Sequence, residues 1–141
     1  MYKVIVVEDD RIIRRGICKA IPWEAHGFVI AGEAGDGEMA LELIEKEQPQ
    51  VVISDINMPF MTGLEMGKKI KEISPRTRII FLTGYEDFKY AHEAVKLKAF
   101  DYQLKPVDSG HLLEKAKEAA EDWELETKKE KRISESLPFL Q

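Results

Sequence analysis

The chain has 141 residues, 44% of them hydrophobic and 33% charged, which suits one domain with a packed core and a solvated surface and excludes disordered, fibrous and collagen-like classes. Its 26 acidic and 21 basic side chains leave a formal charge of -5, the wrong sign for gripping a phosphate backbone, so nucleic-acid binding by this chain alone is disfavoured. The single cysteine, Cys18, cannot form an internal disulfide, and the opening MYKVIVVEDD has no signal-peptide core. No stretch approaches the roughly 18 apolar residues of a membrane span, so the chain reads as cytoplasmic, with no membrane partner.

The predicted elements alternate. Val4 to Val7 is a short apolar run too brief for a helix, and Asp10 then stands as N-cap to a helix carrying Ile13, Ile17 and Ile21, stopped by Pro22. Phe28 to Ala31 reads as a second strand, followed by a helix with Ala40, Leu41 and Ile44 that ends before Pro49. Val51 to Ile53 precedes a third helix bearing Met66, Ile70 and Ile73, closed by Ser74 and Pro75. Ile79 to Leu82 precedes a fourth, opened by Asp87 and carrying Ala91, Ala94, Val95 and Lys98. Tyr102 to Leu104 precedes a fifth, opened by Ser109 and carrying Leu112, Leu113, Ala116, Ala120 and Trp123. Most of the strand runs are apolar at consecutive rather than alternate positions, as expected of a parallel sheet covered on both faces. From His111 to Arg132, thirteen of 22 residues are charged. That stretch reads either as a solvated helix face supported by pairs along the helix or as a signalling linker or dimer contact. Ser134 to Gln141 reads as a frayed end.

Repeated βα units predict a doubly wound sheet whose ligands sit outside the carboxyl ends of the strands. Those ends carry Glu8, Asp9 and Asp10 after the first strand, and Asp55, Ile56, Asn57, Met58 and Pro59 after the third. Thr83 and Gly84 follow the fourth, and Lys105 and Pro106 the fifth. Carboxylates packed closely repel each other, so such a cluster must take up protons or recruit a cation. Hard oxygen ligands suit Mg2+, which is commonly held by one or two carboxylates beside a phosphate. An aspartate there can act as a nucleophile towards phosphorus, while the metal, the lysine and the threonine hydroxyl share the phosphoryl charge. Lys105, at the end of a buried strand, calls for a carboxylate partner. His26, His92 and His111 form no metal-ligand set. Cys18 reads as a small boundary residue and Trp23 as an aromatic anchor for the loop between Pro22 and Gly27.

The acidic group Glu8-Asp9-Asp10, Asp55 with Met58-Pro59 and Gly63 behind it, Thr83, and Asp101-Tyr102-Gln103-Leu104-Lys105-Pro106 together resemble the receiver domains of bacterial two-component response regulators, from about Lys3 to about Ala120. The resemblance implies an α/β, flavodoxin-like fold: a five-stranded parallel sheet, strand order 2-1-3-4-5, with helices on both faces. By the same resemblance Asp55 is the phosphoacceptor for a partner sensor histidine kinase, Asp9 binds Mg2+ directly, Glu8 binds it largely through water, and Asn57 offers its backbone carbonyl. Lys105 pairs with the carboxylate and then the phosphoryl group, across a cis bond to Pro106. Thr83 binds a phosphoryl oxygen, and Tyr102 changes rotamer with it, carrying the signal to a surface of the fourth helix, fifth strand and fifth helix where a homodimer could form. Two positions depart from the commoner pattern: Glu8 stands where Asp is more usual, and Lys98 where a helix-capping Gly is frequent.

Gly84-Tyr85-Glu86-Asp87-Phe88 and Ile21-Pro22-Trp23-Glu24 resemble the subgroup that precedes an AraC-type DNA-binding module. The expectation is a phosphoacceptor receiver over residues 1–123 and an extended last helix with a frayed linker over 124–141, leading to an output domain that this chain lacks, through which DNA would be bound and transcription regulated. The chain is then not an enzyme. The rivals are a Mg2+-dependent aspartyl-nucleophile phosphohydrolase, a flavin-binding electron carrier and a pseudo-receiver that works without phosphorylation. The first needs a second acid where Asn57 stands; the second needs a first loop that does not repel phosphate, unlike Glu8-Asp9-Asp10. The intact site set argues against the third.

Overall fold

The computed structural model describes residues 1–84, 92–93 and 99–136. Strands Tyr2–Val7 (β1), Phe28–Ala34 (β2), Val51–Asp55 (β3), Arg78–Thr83 (β4) and Asp101–Leu104 (β5) form one parallel sheet in the order β2-β1-β3-β4-β5. Helices Arg11–Ala20 (α1), Gly37–Glu47 (α2), Gly63–Ile73 (α3) and a C-terminal helix, Ser109–Ser136, cover it. The fold is the one expected. The predicted fourth helix, apart from the helical and exposed His92 and Glu93, lies outside the described residues. So do Lys98 and most of the Gly84-to-Phe88 run.

Consecutive apolar residues in the inner strands are explained by the two clusters they feed. Val4, Val6, Val51, Ile53, Ile80 and Leu82 pack with Ile17 of α1, with Ile21 just after it, and with Leu112, Ala116 and Ala120 of the C-terminal helix. Their neighbours Ile5, Val7, Val52, Ile79 and Phe81 pack on the other face with Ala40 and Ile44 of α2 and Met66 and Ile70 of α3. Because side chains alternate across a strand, a run apolar at every position fills both layers. Among the described residues β2 is an edge strand paired only with β1, so it tolerates the half-buried Glu33, and it runs three residues past the predicted Ala31.

Local chemistry fixes the helix ends. The Asp10 carboxylate accepts from the N–H groups of Ile12 and Ile13 at 2.9 and 3.2 Å, capping α1 as predicted. Ile13 itself is exposed, so the buried stripe of α1 begins only at Ile17. Asp108, one residue before Ser109, caps the C-terminal helix through the His111 N–H at 2.9 Å. Trp23 is buried, its indole N–H donating to the Ile17 carbonyl at 3.0 Å, and it anchors a short 3-10 turn, Glu24–His26, that the sequence did not signal.

The C-terminal helix continues past the expected frayed boundary at Ser134 to Ser136, and residues 137–141 lie outside the described part. Its charges pair largely across to the sheet rather than along the helix. Asp122 meets Arg78 at 2.8 Å, Glu126 also meets Arg78, Glu130 meets Arg76, and the Tyr2 hydroxyl donates to Glu124. Asp122, Glu126 and Glu130 recur every four residues, so one acidic stripe lies against the arginines at the start of β4. No helix among the described residues is long and apolar enough to cross a membrane.

Gly63, the first residue of α3, shows why the turn behind Asp55 needs a glycine. Its N–H donates to the Ile56 carbonyl at 2.8 Å, and a Cβ there would sit 2.6 Å from the Asp55 carbonyl oxygen and 2.9 Å from the Ile56 Cα. Gly16, in mid-α1, has nothing within 4 Å of the same point. In urea denaturation, Gly63→Ala is therefore expected to lower stability by about 1–3 kcal/mol through overpacking. Gly16→Ala is expected to raise it by roughly 0.5–1 kcal/mol through helix propensity.

Candidate functional site

Strand register assembles the site. Val7 of β1 is level with Ser54 of β3, so Glu8 leaves β1 beside Asp55. Asp55 is level with Leu82 of β4, which sets Thr83 one step beyond, and Thr83 is level with Leu104 of β5, after which comes Lys105. The Lys105 N–H donates to the Thr83 carbonyl at 2.8 Å, and the bond from Lys105 to Pro106 is cis.

One carboxylate oxygen from each of Glu8, Asp9 and Asp55 lies within 4.8 Å of the others. Glu8 and Asp55 are 1% and 5% exposed, whereas Asp9 is open to solvent. The Lys105 ammonium stands 3.2 Å from Asp55 Oδ1 and 3.7 Å from Glu8 Oε1, giving the lysine the carboxylate partners its position requires. Burial alone would lower the Lys105 pKa, but Asp55 and Glu8 outweigh it and the net displacement is upward. Burial, reinforced by the Asp55 carboxylate and only partly opposed by Lys105, pushes Glu8 up to about 8. One ammonium thus does not balance the acidic group, and the site favours uptake of a proton or a cation.

That imbalance bears on a cation. Glu8 Oε2 is buried without a hydrogen-bond partner among the described residues, next to two further carboxylates, and the candidate ligand atoms are all hard oxygens. The residues fit a small divalent ion of the Mg2+ type, whose charge would favour ionised Glu8 and give its buried oxygen a partner, directly or through water.

The remaining predicted residues fall around this centre. Thr83 is fully buried at the rim, its hydroxyl donating to the Gly84 carbonyl at 3.3 Å. The Asn57 N–H points to Asp55 Oδ1 at 3.4 Å, and Asn57 is exposed. Tyr102, on edge strand β5, is 37% exposed and level with Phe81, two positions before Thr83 along β4. Asp10 is engaged as the α1 cap. Cys18 is half-buried, its thiol pushed up to about 11, chiefly by burial, which leaves it the inert boundary residue expected.

Two features escaped the sequence reading. Arg14 of α1 donates from Nη1 to the Glu8 carbonyl at 2.7 Å and from Nε to Glu33 Oε1 at 3.0 Å. Phe60, in the β3–α3 loop, has a left-handed backbone (φ 69°) and a fully exposed side chain. Arg14 is one of several basic residues on α1, and only the bend of the chain after β1 brings a carbonyl within its reach. For Phe60 no sequence signal was available, since an aromatic at φ > 0 runs against propensity.

Comparison with known proteins follows the same lines. Residues 4–117 match the family model described as the response regulator receiver domain. The chain is 40% identical over 118 residues to YesN of Bacillus subtilis (strain 168), a transcriptional regulatory protein, covering 84% of this chain and 32% of that protein. It is 39% identical over 112 residues to the transcriptional regulatory protein HptR of Staphylococcus aureus (strain NCTC 8325 / PS 47), covering 79% of this chain and 44% of that one. The chain therefore spans less than half the length of these curated relatives. Among solved structures, the receiver domain of AraT, a response regulator from Geobacillus stearothermophilus, superposes with a TM-score of 0.82 at 40% identity, covering 89% of this chain and 98% of that one. A two-component transcriptional regulator AraC from Clostridium phytofermentans ISDg superposes with a TM-score of 0.81 at 30% identity, covering 87% and 95%. With four-fifths of its length matched to the family model and its acidic rim where the sheet register puts it, the chain belongs to the response regulator receiver family.

Proposed function

We propose that this receiver is a phosphorylation-controlled switch in which Asp55 accepts a phosphoryl group from a sensor histidine kinase in the presence of Mg2+. The observation that carries the reading is the Lys105 ammonium 3.2 Å from Asp55 Oδ1 inside a three-carboxylate cluster. An Asp55 oxygen forms the new bond to phosphorus as the donor's P–N bond breaks, and the departing imidazole keeps the electron pair and takes a proton. Asp9 and Asp55 would hold the ion directly, Glu8 largely through water, and Asn57 through its backbone carbonyl. Mg2+, when bound, supplies positive charge beside the transferring phosphoryl oxygens. Lys105 provides a fixed counter-charge on the other side, and the Thr83 hydroxyl donates to a phosphoryl oxygen once one is present.

Phosphorylation replaces the single charge of the Asp55 carboxylate with the roughly -1.5 to -2 of a phosphoryl group beside Lys105 and biases two pre-existing conformations. Thr83 and then Tyr102 relay that bias to the face expected of the predicted fourth helix, the fifth strand and the C-terminal helix, a surface for a homodimer. Residues 1–123 are the phosphoacceptor unit, and 124–141 carry the signal towards an output domain. Since relatives are named transcriptional regulators, that output is transcription control, and DNA contact belongs to the output domain. Asn57 supplies no second acid to activate water, so the chain acts as a switch and not as a phosphohydrolase.

Incubation with Mg2+ and a small acyl phosphate, followed by intact-mass measurement and peptide mapping, should place one phosphoryl group on Asp55. Asp55→Asn should abolish labelling; equal labelling of the two proteins would overturn the proposal. Lys105→Ala should blunt the change in amide hydrogen exchange on phosphorylation more than it weakens Mg2+ binding measured by calorimetry.

The Glu8 proton gives a pH signature. Folded Glu8 binds a proton up to about 8, while the unfolded chain releases it near 4.5, so in this window the folded state holds more protons. Stability of the metal-free protein should then decline as pH rises through the window. Glu8→Gln should flatten the decline, and Mg2+ should reverse it with release of a proton, detectable by calorimetry in buffers of different ionisation enthalpy. A flat pH profile in the unmodified protein would contradict the assignment.

A further inference from the structure

We infer that Arg14 is a positioning residue for the metal-binding acidic loop, setting where Asp9 stands relative to Glu8 through the peptide that joins them. This inference rests on the Mg2+ reading above and extends it to a residue outside the carboxylate cluster.

The Glu8 carbonyl belongs to a planar peptide unit whose other end is the Asp9 N–H, so holding the direction of that carbonyl holds ψ of Glu8 and with it the plane from which Asp9 departs. That plane limits where the Asp9 carboxylate can stand relative to Glu8, which β1 already places. Arg14 Nη1 holds the carbonyl oxygen at 2.7 Å. The same guanidinium is held in turn by Nε on Glu33 Oε1 at 3.0 Å, from edge strand β2. The Arg14 side chain is only 16% exposed, so its fork is constrained on both sides rather than drifting in solvent.

On the near side, the Glu8 N–H donates to the Ala34 carbonyl at 3.0 Å. Glu8 is thus gripped at both its backbone groups, by β2 directly and by α1 through Arg14. Without the second grip the Glu8-Asp9 peptide could rotate, and mutual repulsion among Glu8, Asp9 and Asp55 would favour turning Asp9, which is exposed, away from the cluster. Glu33 completes the device by orienting the guanidinium, and the two arginines beside it outweigh its burial and lower its pKa, so it stays charged.

Arg15 provides an internal control. It also pairs with Glu33, at 3.3 Å from Nη1 to Oε2, and carries the same charge one residue away. Its contact with Glu33 is made on the exposed side, and the Glu8 carbonyl is held by Arg14. A field effect would be shared by both arginines, whereas a positioning effect would belong to Arg14. Lysine at position 14 keeps the charge but has no planar fork with which to hold the carbonyl and Glu33 together.

Calorimetric titration with Mg2+ separates these cases. Arg14→Gln and Arg14→Lys should each weaken Mg2+ binding about tenfold, in the range seen when groups that orient metal ligands are removed. Glu33→Gln should weaken it by a smaller factor, and Arg15→Gln should leave it unchanged. In the metal-free protein, amide hydrogen exchange across residues 8–10 should accelerate in the Arg14 variants and not in Arg15→Gln, a readout independent of the ion. A merely structural role would lower the thermal midpoint while leaving Mg2+ affinity intact, and that result would overturn the inference. So would full affinity in Arg14→Lys, or an equal loss in Arg15→Gln. Absence of Mg2+ binding to the unmodified protein would instead bring down the metal reading itself.

Discussion

Everything at the rim of this sheet answers to the repulsion among three carboxylates held in one small volume. In water such groups separate; here Glu8 and Asp55 are buried and their backbone cannot carry them apart. The Lys105 ammonium meets part of the cost, Glu8 is pushed towards its protonated form, and one buried Glu8 oxygen has no hydrogen-bond partner among the described residues. A site in that condition is poised for more positive charge. Its oxygen donors fit a divalent ion, and with such an ion bound the proposed phosphoryl group would meet less repulsion than from the bare cluster.

Holding the cluster together is the task of the surrounding backbone, and each loop does so differently. The end of β3 is pinned by Gly63, whose missing side chain lets α3 start against the Asp55 and Ile56 backbone. The end of β5 is tied to β4 by the Lys105 N–H on the Thr83 carbonyl. The end of β1 is fastened to β2 on one side and to α1 through Arg14 on the other. The parallel sheet supplies the common level from which these three loops rise, because its register leaves Glu8, Asp55, Thr83 and Lys105 within a step of one another.

At the start of β4, the opposite end from Thr83, the C-terminal helix is joined to the receiver body by charge rather than by apolar packing alone. Leu112, Ala116 and Ala120 lie in the core, but beyond them Asp122, Glu126 and Glu130 run along one side of the helix against Arg78 and Arg76. The helix therefore leaves the sheet in a defined direction. An element so held can pass a small displacement of the receiver along its length, which suits the linking role proposed for it.

Strand and helix alternation, both layers of the core, the Asp10 cap and the acidic rim were legible in the sequence, because they depend on side-chain periodicity and on residue types that stand next to one another in the chain. Asp55, Lys105, Glu8 and Asp9 could be assembled before any coordinates, since in a parallel sheet the carboxyl ends of the strands share one edge whatever the details of packing. The reach of Arg14 to the Glu8 carbonyl, the pairing of Asp122, Glu126 and Glu130 with Arg76 and Arg78, the extension of β2 to Ala34, and the left-handed Phe60 were decided only in three dimensions. Each depends on the path of a loop or on the rotation of a helix about its axis. Those quantities are set by the sum of many weak contacts between segments far apart in the chain, and no local pattern of residues encodes them.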